Sequence, residues 1–552
     1  MRPLLLLPAF ILASAAGASL PADRTLSSPA LYLRARAAEV GGDPTAANAG
    51  FGLLLQRDPA SDVFAQRSFR EALASGDMSL ALKAARLLDS RHALPPDGRL
   101  LLMADAVRAR DWVAARHEVD LVQQERLFAF LAPMLRAWIA FGTHDKDPLA
   151  PLDAARSLSL AQPFLPEQRA LLLIALGRVD DGVAALRGAG STDIAAWPLR
   201  VRLLAADALA HAGQGKRALG LLDGDDAALV RARALISRGE RAAMPIDSAG
   251  AGIATLLVRV ASDFGRQQLA PVGLALAREA AYLEPRDAGA WLVCANLLAG
   301  LKQPRQALAA LDSIGADDPF ASTARTLRVA LLSDMGDKEA ALADARKAVD
   351  GGGDLASWSR LGDVYLSLDR FDEAAGAYGH ALDAARAVKA PAVQVWPLLL
   401  QQADALDRAG QWPPAKQALN AALALAPDQP LVQNQVGYSL IAHRDEVARG
   451  SKLIAQANSL RPDDPAITDS LGWSRYLLGS PAAAVPLLEK ASAADPVEPT
   501  ISEHLGDAYW AVGRRYEARY AWRAALVTAD DKDRARLSSK IDLGYTAATA
   551  AP

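Results

Sequence analysis

The sequence predicts an all-α protein built as an α-solenoid, a right-handed superhelix of about 11–13 stacked helix-turn-helix repeats. Two observations lead to this fold class. Alanine and leucine, both strong helix formers, dominate the chain, whereas aromatic residues make up only 6% of its 552 residues. In addition, small residues recur with a spacing of 34 along much of the sequence, and a fixed period of that length indicates stacked helix pairs.

The first 18 residues have the layout of a secretory signal peptide. Arg2 precedes an apolar stretch, Leu4–Ala15, and the small residues Ala-Gly-Ala follow at positions 16–18. The apolar stretch is too short to span a bilayer. We therefore expect residues 1–18 to be a signal peptide and the remainder to be periplasmic. The alternative interpretation is a buried N-terminal helix.

Two interruptions divide the repeat pattern that follows. Residues 145–165 are rich in proline and poorly periodic, and residues 242–252 combine a proline with several glycines and alanines. We expect a degenerate N-terminal sub-array at residues 19–242 and a C-terminal array at residues 253–545. Residues 546–552 are expected to form a disordered tail.

The repeat is weaker in the N-terminal sub-array than in the C-terminal array. Gly42 and Gly76 are 34 residues apart, whereas the units around Gly177 and Gly213 are less regular. Near the C-terminus four pairs keep the same spacing: Gly472 and Gly506, Gly479 and Gly513, Ala484 and Ala518, Ala491 and Ala525. Small residues there allow two helices to cross closely, and neighbouring units must stack because none buries its apolar face alone.

This pattern of small residues, turn glycines and helix-ending prolines resembles the tetratricopeptide (TPR) repeat. The end of the chain also resembles the C-terminal part of a bacterial family of envelope TPR proteins. The residues that carry this likeness are VGYSL at 436–440, DSLGW with Tyr476 at 469–476, and the run at 503–522. Some members of that family are outer-membrane lipoproteins that act as adaptors for periplasmic carboxyl-terminal processing proteases. The lone cysteine here, Cys294, lies far from the N-terminus, so no lipid attachment is expected.

The TPR resemblance also implies a binding groove, which the first helix of each unit lines. In the last three units it places eight residues at groove positions: Asn434, Tyr438, Asp469, Trp473, Tyr476, Glu503, Asp507 and Trp510. Aromatic anchors flanked by acids suit an extended or helical peptide that carries Lys or Arg. The alternative is that these rings pack between neighbouring units or under a C-terminal capping helix.

The sequence lacks the arrangements typical of catalysis, metal binding or cofactor binding. The seven histidines form no metal-binding pair at i, i+4, and no P-loop or nucleophile elbow is present. Cys294 falls at a helix position that we expect to be buried. A net charge of −3 gives no reason to expect binding of nucleic acid, which requires a basic surface. No segment after residue 18 has the roughly 20 uncharged apolar residues of a transmembrane helix.

These observations predict a non-catalytic protein-binding scaffold or adaptor in the bacterial envelope. Its partner would be a protein or peptide held in the groove, such as an envelope protease or an assembly factor. The alternative function is a structural or assembly component of an envelope polysaccharide export or biosynthesis system, because aromatic and amide side chains can also contact sugars. The sequence makes no prediction of the oligomeric state.

Overall fold

The computed structural model describes residues 25–125, 127–188, 193–224, 226–350 and 352–551. Within these ranges it contains thirty α-helices, three short 3-10 helices and no β-strand, which confirms the predicted all-α solenoid of helix hairpins. The proposed signal peptide, residues 1–18, lies outside the described residues. The chain divides into two compact units, Met1–Leu331 and Leu332–Pro552.

The first unit holds seventeen complete helices among the described residues. In chain order they are α1 Ser28–Val40, α2 Pro44–Arg57, α3 Asp62–Ser75, α4 Met78–Asp89, α5 Pro96–Arg108, α6 Trp112–Gln124, α7 Ala132–Gly142, α8 Ala150–Ala154, α9 Leu165–Ala175, α10 Val179–Gly188, α11 Leu199–His211, α12 Gly215–Leu221, α13 Ala227–Ser237, α14 Ala249–Arg266, α15 Ala270–Leu283, α16 Ala288–Gly300 and α17 Pro304–Leu311. Helix α18, Ala321–Asp334, spans the division between the units.

The second unit continues with twelve helices in its described part. They are α19 Lys338–Val349, α20 Leu355–Ser367, α21 Phe371–Ala387, α22 Ala392–Arg408, α23 Trp412–Leu425, α24 Pro430–Ala442, α25 Val447–Leu460, α26 Pro465–Leu477, α27 Pro481–Ala494, α28 Pro499–Ala511, α29 Arg515–Thr528 and α30 Asp531–Leu543. The 3-10 helices are Ala129–Leu131, Ile194–Ala196 and Ala547–Thr549.

The first unit folds back on itself. Helix α14 packs against α7 and α5, and α15 packs against α5 and α3, far earlier in the chain. The N-terminal part of α14 can be enclosed because residues 251–258 are small or apolar apart from Thr255 and are buried on all sides of the helix. Gly252 permits the closest contact, since a Cβ there would lie 2.2 Å from the Trp138 ring. The interruption predicted at residues 242–252 lies within the first unit. It comprises the helix-free residues 242–248 and the first turn of α14.

The second unit is a regular succession of helix hairpins. Its repeat glycines lie where the two helices of a hairpin cross. A Cβ on Gly472 would lie 2.7 Å from Leu488, and one on Gly506 would lie 2.4 Å from Trp522. The prediction that the 34-residue spacing marks helix crossings is confirmed at these positions.

Helix ends in this unit follow from local sequence. Pro465 and Pro499 begin α26 and α28, where a missing N–H costs nothing. The Asp464 carboxylate accepts hydrogen bonds from the backbone N–H groups at the start of α26. Gly479 and Gly513 have φ of 78° and 86° in the turns after α26 and α28. These caps and turns fix the orientation of the two helices that carry most of the predicted groove.

No described helix combines the length and hydropathy that crossing a membrane would require. The segment expected to be a disordered tail is described as far as residue 551 and includes the 3-10 helix Ala547–Thr549.

Candidate functional site

The eight predicted groove residues lie on the first helices of three consecutive hairpins, α24, α26 and α28. We call the surface formed by these three helices the C-terminal groove. Helix α24 carries Asn434 and Tyr438; α26 carries Asp469, Trp473 and Tyr476; α28 carries Glu503, Asp507 and Trp510. The structure thus brings all eight to neighbouring helices.

Three rings in this surface form a stack. The Trp473 ring lies 4.6 Å from Tyr476 and 3.9 Å from His504, with both pairs nearly parallel. Trp473 is only 2% exposed. Its ring is therefore occupied by contacts between α26 and α28, as the packing alternative anticipated.

Asp469 orients the histidine of that stack. The buried His504 Nδ1–H donates to the Asp469 carboxylate at 2.9 Å, which links α28 to α26. The other ring nitrogen, Nε2, is buried and has no hydrogen-bond partner among the described residues. His504 was not among the predicted groove residues, although its sequence position directly follows Glu503.

Glu503 is paired by cations from α30. Arg536 donates to both of its carboxylate oxygens, at 3.0 and 2.7 Å, and Lys540 Nζ donates at 2.6 Å. Burial acts to raise the pKa of Glu503, but the bonds from Arg536 and Lys540 outweigh burial and lower it below its usual value. Glu503 is therefore held as a carboxylate.

Asp507 is fully buried and has three donors. Lys540 Nζ lies 2.8 Å from each of its oxygens, the Trp522 indole N–H donates at 2.9 Å, and the Ala551 backbone N–H donates at 3.3 Å. Burial raises the pKa of Asp507, and the Lys540 ammonium opposes that rise. Lys540 itself is 0% exposed, so this ion pair is shielded from solvent.

The end of the chain covers Trp510 and Tyr476. A Cβ on Gly544 would lie 2.2 Å from the Trp510 ring, and Gly544 has a φ of 92°, so both space and backbone require glycine. Burial raises the pKa of Tyr476, and a hydrogen bond with the Tyr545 side chain adds to the rise. Residues 531–551, which we call the C-terminal segment, thus cover the α28 end of the C-terminal groove and Tyr476 of α26. Helix α30 of this segment packs against α29, as the next helix of the stack.

The α24 part of the groove has weaker internal contacts. Asn434 is half-buried and donates to Ser470 Oγ at 3.2 Å, while its side-chain oxygen has no described partner. Burial raises the pKa of Tyr438, and the nearby Asp469 carboxylate contributes to the rise. These two residues line the end of the groove away from the C-terminal segment.

Sequence reasoning missed the residues that pair the groove acids, above all Arg536 and Lys540. A signal was present, because Lys540 stands 34 residues after Gly506 and therefore continues the repeat register into one further helix. The repeat register alone does not show that the Lys540 ammonium points toward Glu503 and Asp507.

The described residues hold no group of three His, Cys, Asp or Glu side chains placed to bind a metal ion. Cys294 is buried, and burial raises its thiol pKa to about 12, so it stays protonated at neutral pH.

Two comparisons with known proteins match parts of this chain to tetratricopeptide repeats. Residues 355–387, the hairpin of α20 and α21, match the family model of the tetratricopeptide repeat. A stretch of 89 residues is 36% identical to TPR repeat-containing protein PA4667 of Pseudomonas aeruginosa. It covers 16% of this chain and 15% of that relative, so the match spans about a seventh of the relative's length.

Two solved structures illustrate the similarity in fold. A tetratricopeptide repeat protein from Parabacteroides merdae is 13% identical, with a TM-score of 0.39 over 47% of this chain and 98% of that one. Yeast Tom70 is 12% identical, with a TM-score of 0.29 over 94% and 95% of the two chains. TM-scores below 0.5 do not establish a shared arrangement of the helices.

Proposed function

We propose that this chain, which carries tetratricopeptide repeats, is a non-catalytic protein-binding scaffold of the bacterial envelope. Proteins with this repeat generally act as protein-binding scaffolds. We further propose that the C-terminal groove holds a basic segment of its partner. The observation that carries this proposal is that the groove helix α28 already pairs its buried carboxylates, Glu503 and Asp507, with Lys540 from a basic segment of the same chain.

The chemistry of that contact defines the partner. Arg536 and Lys540 are four residues apart on α30, so they project from the same side of a helix. A competing segment has to present cations at the same spacing, because a buried carboxylate left without its cation costs about 3–5 kcal/mol. A helix with Lys or Arg at i and i+4, followed by a glycine and an aromatic residue, meets this requirement.

The polysaccharide alternative gains less support. Stacking on a sugar needs a free aromatic face, whereas Trp473 is almost fully buried between Tyr476 and His504. The envelope location rests on the signal-like residues 1–18, and an envelope protease or assembly factor is the partner class that the sequence resemblance implies.

A peptide array tests the proposal. Labelled protein spanning residues 19–552 is applied to 20-residue helical peptides with Lys or Arg at i and i+4, and to the same peptides with Glu at those positions. We expect binding only to the basic set. Lys540→Met should strengthen that binding because it loosens the chain's own segment, while Lys532→Met, an exposed lysine of the same helix, should not. Equal binding of the basic and acidic sets would refute the proposal.

A further inference from the structure

A cavity of about 480 Å³ lies in the first unit and is formed mainly by α3 and α15, with Asp97 contributed by α5. Its volume falls within the range of small-ligand sites in proteins. Its apolar wall includes Leu73 and Ala74 of α3 and Val272, Leu274 and Ala275 of α15. The fold-back of α15 onto α3 and α5 creates this space, which the sequence did not predict.

Three carboxylates line the cavity, and only one has an ion-pair partner. Glu39 is paired by Arg36 at 2.5 Å and by Arg67 at 2.7 Å. Glu71 forms no ion pair with any described residue. Asp97 likewise forms no ion pair with a described residue, although backbone amides of its own turn and the Arg70 charge interact with its carboxylate. Burial, with the Glu39 charge, raises the pKa of Glu71 to about 7.

A fourth carboxyl group lies close to the cavity. Glu279 follows the lining residue Ala275 by one helical turn on α15, and the charge of Asp97 acts on it. Glu279 is 0% exposed, and neither of its oxygens has a hydrogen-bond partner in the described part of the chain. The charged form of a buried carboxyl group without a donor is unfavourable, and burial accordingly raises the pKa of Glu279 well above its usual value.

The nearby arginines act on Glu71 without forming an ion pair: the charges of Arg67, Arg36 and Arg70 oppose the rise in its pKa but do not cancel it. Arg70 lines the cavity, but its side chain is exposed and forms no ion pair with Glu71 or Asp97. A metal ion does not fit either, because no metal-binding group of side chains occurs among the described residues. The cavity instead combines separated carboxylates with an apolar wall.

We infer that this cavity binds an organic cation, an ammonium or guanidinium group carried on an apolar chain. The cation contacts Glu71 and Asp97, and the apolar chain lies against Val272, Leu274 and Ala275. A small aliphatic amine and a lysine side chain of a peptide share this chemistry. This site is separate from the C-terminal groove, and it does not depend on the function proposed for that groove.

Calorimetric titration of the full chain tests this inference, with hexylammonium as the probe. Hexanol and hexanoate have the same alkyl chain without the positive charge. At pH 8 we expect hexylammonium to bind at least tenfold more tightly than either, since a charge-assisted hydrogen bond is worth about that factor. Hexylammonium binding no tighter than hexanol would overturn the inference.

The carboxylates give the matched variants. Glu71→Gln should weaken hexylammonium binding about tenfold at pH 8, and Asp97→Asn should also weaken it. Asp247→Asn, which changes an exposed acid of the same unit, should leave it unchanged. Glu71→Gln removes an unfavourable charge, so the variant is expected to fold. Unchanged affinity in both cavity variants would count against the site.

The pH dependence gives a second readout. The charged groups on the elements around Glu71 are Arg36 and Glu39 of α1, Arg67 and Arg70 of α3, Asp97 of α5, and Arg278 and Glu279 of α15. Because Glu71 takes up its proton near pH 7, wild-type affinity for hexylammonium should fall between pH 8 and pH 5.5, and the Glu71→Gln affinity should fall less. An equal fall in both proteins would contradict the role of Glu71.

A lysine peptide, acetyl-Leu-Lys-Leu-amide, distinguishes the two sources of the cation. Tighter binding than hexylammonium indicates a lysine side chain, and weaker binding indicates a free amine. Both results support an organic-cation site, whereas failure of both probes to bind rejects it.

Discussion

Two sites with poorly solvated acidic residues, one in each unit, have different surroundings. In the second unit, Glu503 and Asp507 contact Lys540, which the chain itself supplies from α30. In the first unit, Glu71 forms no ion pair with a described residue, although the charges of Arg67, Arg36 and Arg70 act on it. The Glu279 oxygens have no hydrogen-bond partner in the described part of the chain. The first unit does pair other buried acids, such as Asp287 with Arg200 and Glu167 with Arg259. The contrast is therefore between two sites, of which only the one at α28 has its cation in place.

This difference leads to different expectations for ligand binding at the two sites. In the function that we propose, the C-terminal groove exchanges one basic segment for another, so binding there competes with an internal contact. In the site that we infer in the first unit, a bound cation forms an ion pair with Glu71 and Asp97. Binding there makes the burial of these carboxylates less unfavourable. Neutralising one charged side chain should therefore change the free energy of unfolding in opposite directions at the two sites. Removing the charge of Lys540 should lower stability, and removing the charge of Glu71 should raise it.

The largest effect is expected from Lys540→Met. It leaves Glu503 and Asp507 as buried charges without their shared ammonium, and losing one partner of a buried ion pair costs about 3–5 kcal/mol. Lys532→Met, on the exposed side of α30, should change stability by less than about 0.5 kcal/mol. Urea unfolding followed by tryptophan fluorescence measures both; equal stabilities would mean that the buried pair contributes nothing.

An intermediate effect is expected from Gly544→Ala. The new Cβ clashes with Trp510 and also forces alanine to a φ of 92°, which should loosen the C-terminal segment at a cost of about 1–3 kcal/mol. Gly513→Ala is the matched control, because Gly513 has a similar φ of 86° and open space around it. Hydrogen exchange of residues 531–551 should be faster in Gly544→Ala only. Similar exchange in both variants would show that the Trp510 contact is unimportant.

The smallest effect is expected from Glu71→Gln, and it has the opposite sign. Unfolded Glu71 releases its proton near pH 4.5, whereas the folded protein holds it to about pH 7. The folded state therefore binds more protons between these values, and wild-type stability falls as pH rises through this window. Glu71→Gln should be more stable than wild type at pH 8 by about 1 kcal/mol, allowing for solvent screening, but not at pH 4.5.

Thermal unfolding at both pH values checks this last prediction. Asp247→Asn serves as the control because its side chain is exposed, and its melting temperature should match wild type at both. A Glu71→Gln protein that is less stable than wild type at pH 8 would mean that the cavity already compensates this carboxylate.

The fold was predictable because its signal is local and repeated. The spacing of Gly472 and Gly506 reports a helix crossing that recurs in each unit, and the structure shows both crossings. The fold-back of α14 and α15 was not predictable, because it depends on contacts with α3, α5 and α7 that no period in the sequence records. The cavity between these helices was missed for the same reason.

The groove was predicted in part. Sequence reasoning selected residues that lie on three neighbouring helices, and it associated the acids with Lys or Arg. It did not identify Arg536 and Lys540 as the source of those cations, because the direction of a side chain on a terminal helix depends on tertiary packing. Whether the eight residues bind a partner stays a prediction.

The most direct test of the groove is a titration with the chain's own segment. A fluorescent peptide with the sequence of residues 531–551 is added to Lys540→Met, to Lys532→Met and to wild type, and anisotropy is measured. We predict saturable binding to folded Lys540→Met and at least tenfold weaker binding to the other two, whose own segment stays in place. Absence of binding to Lys540→Met that remains helical by circular dichroism would contradict a groove that exchanges basic segments.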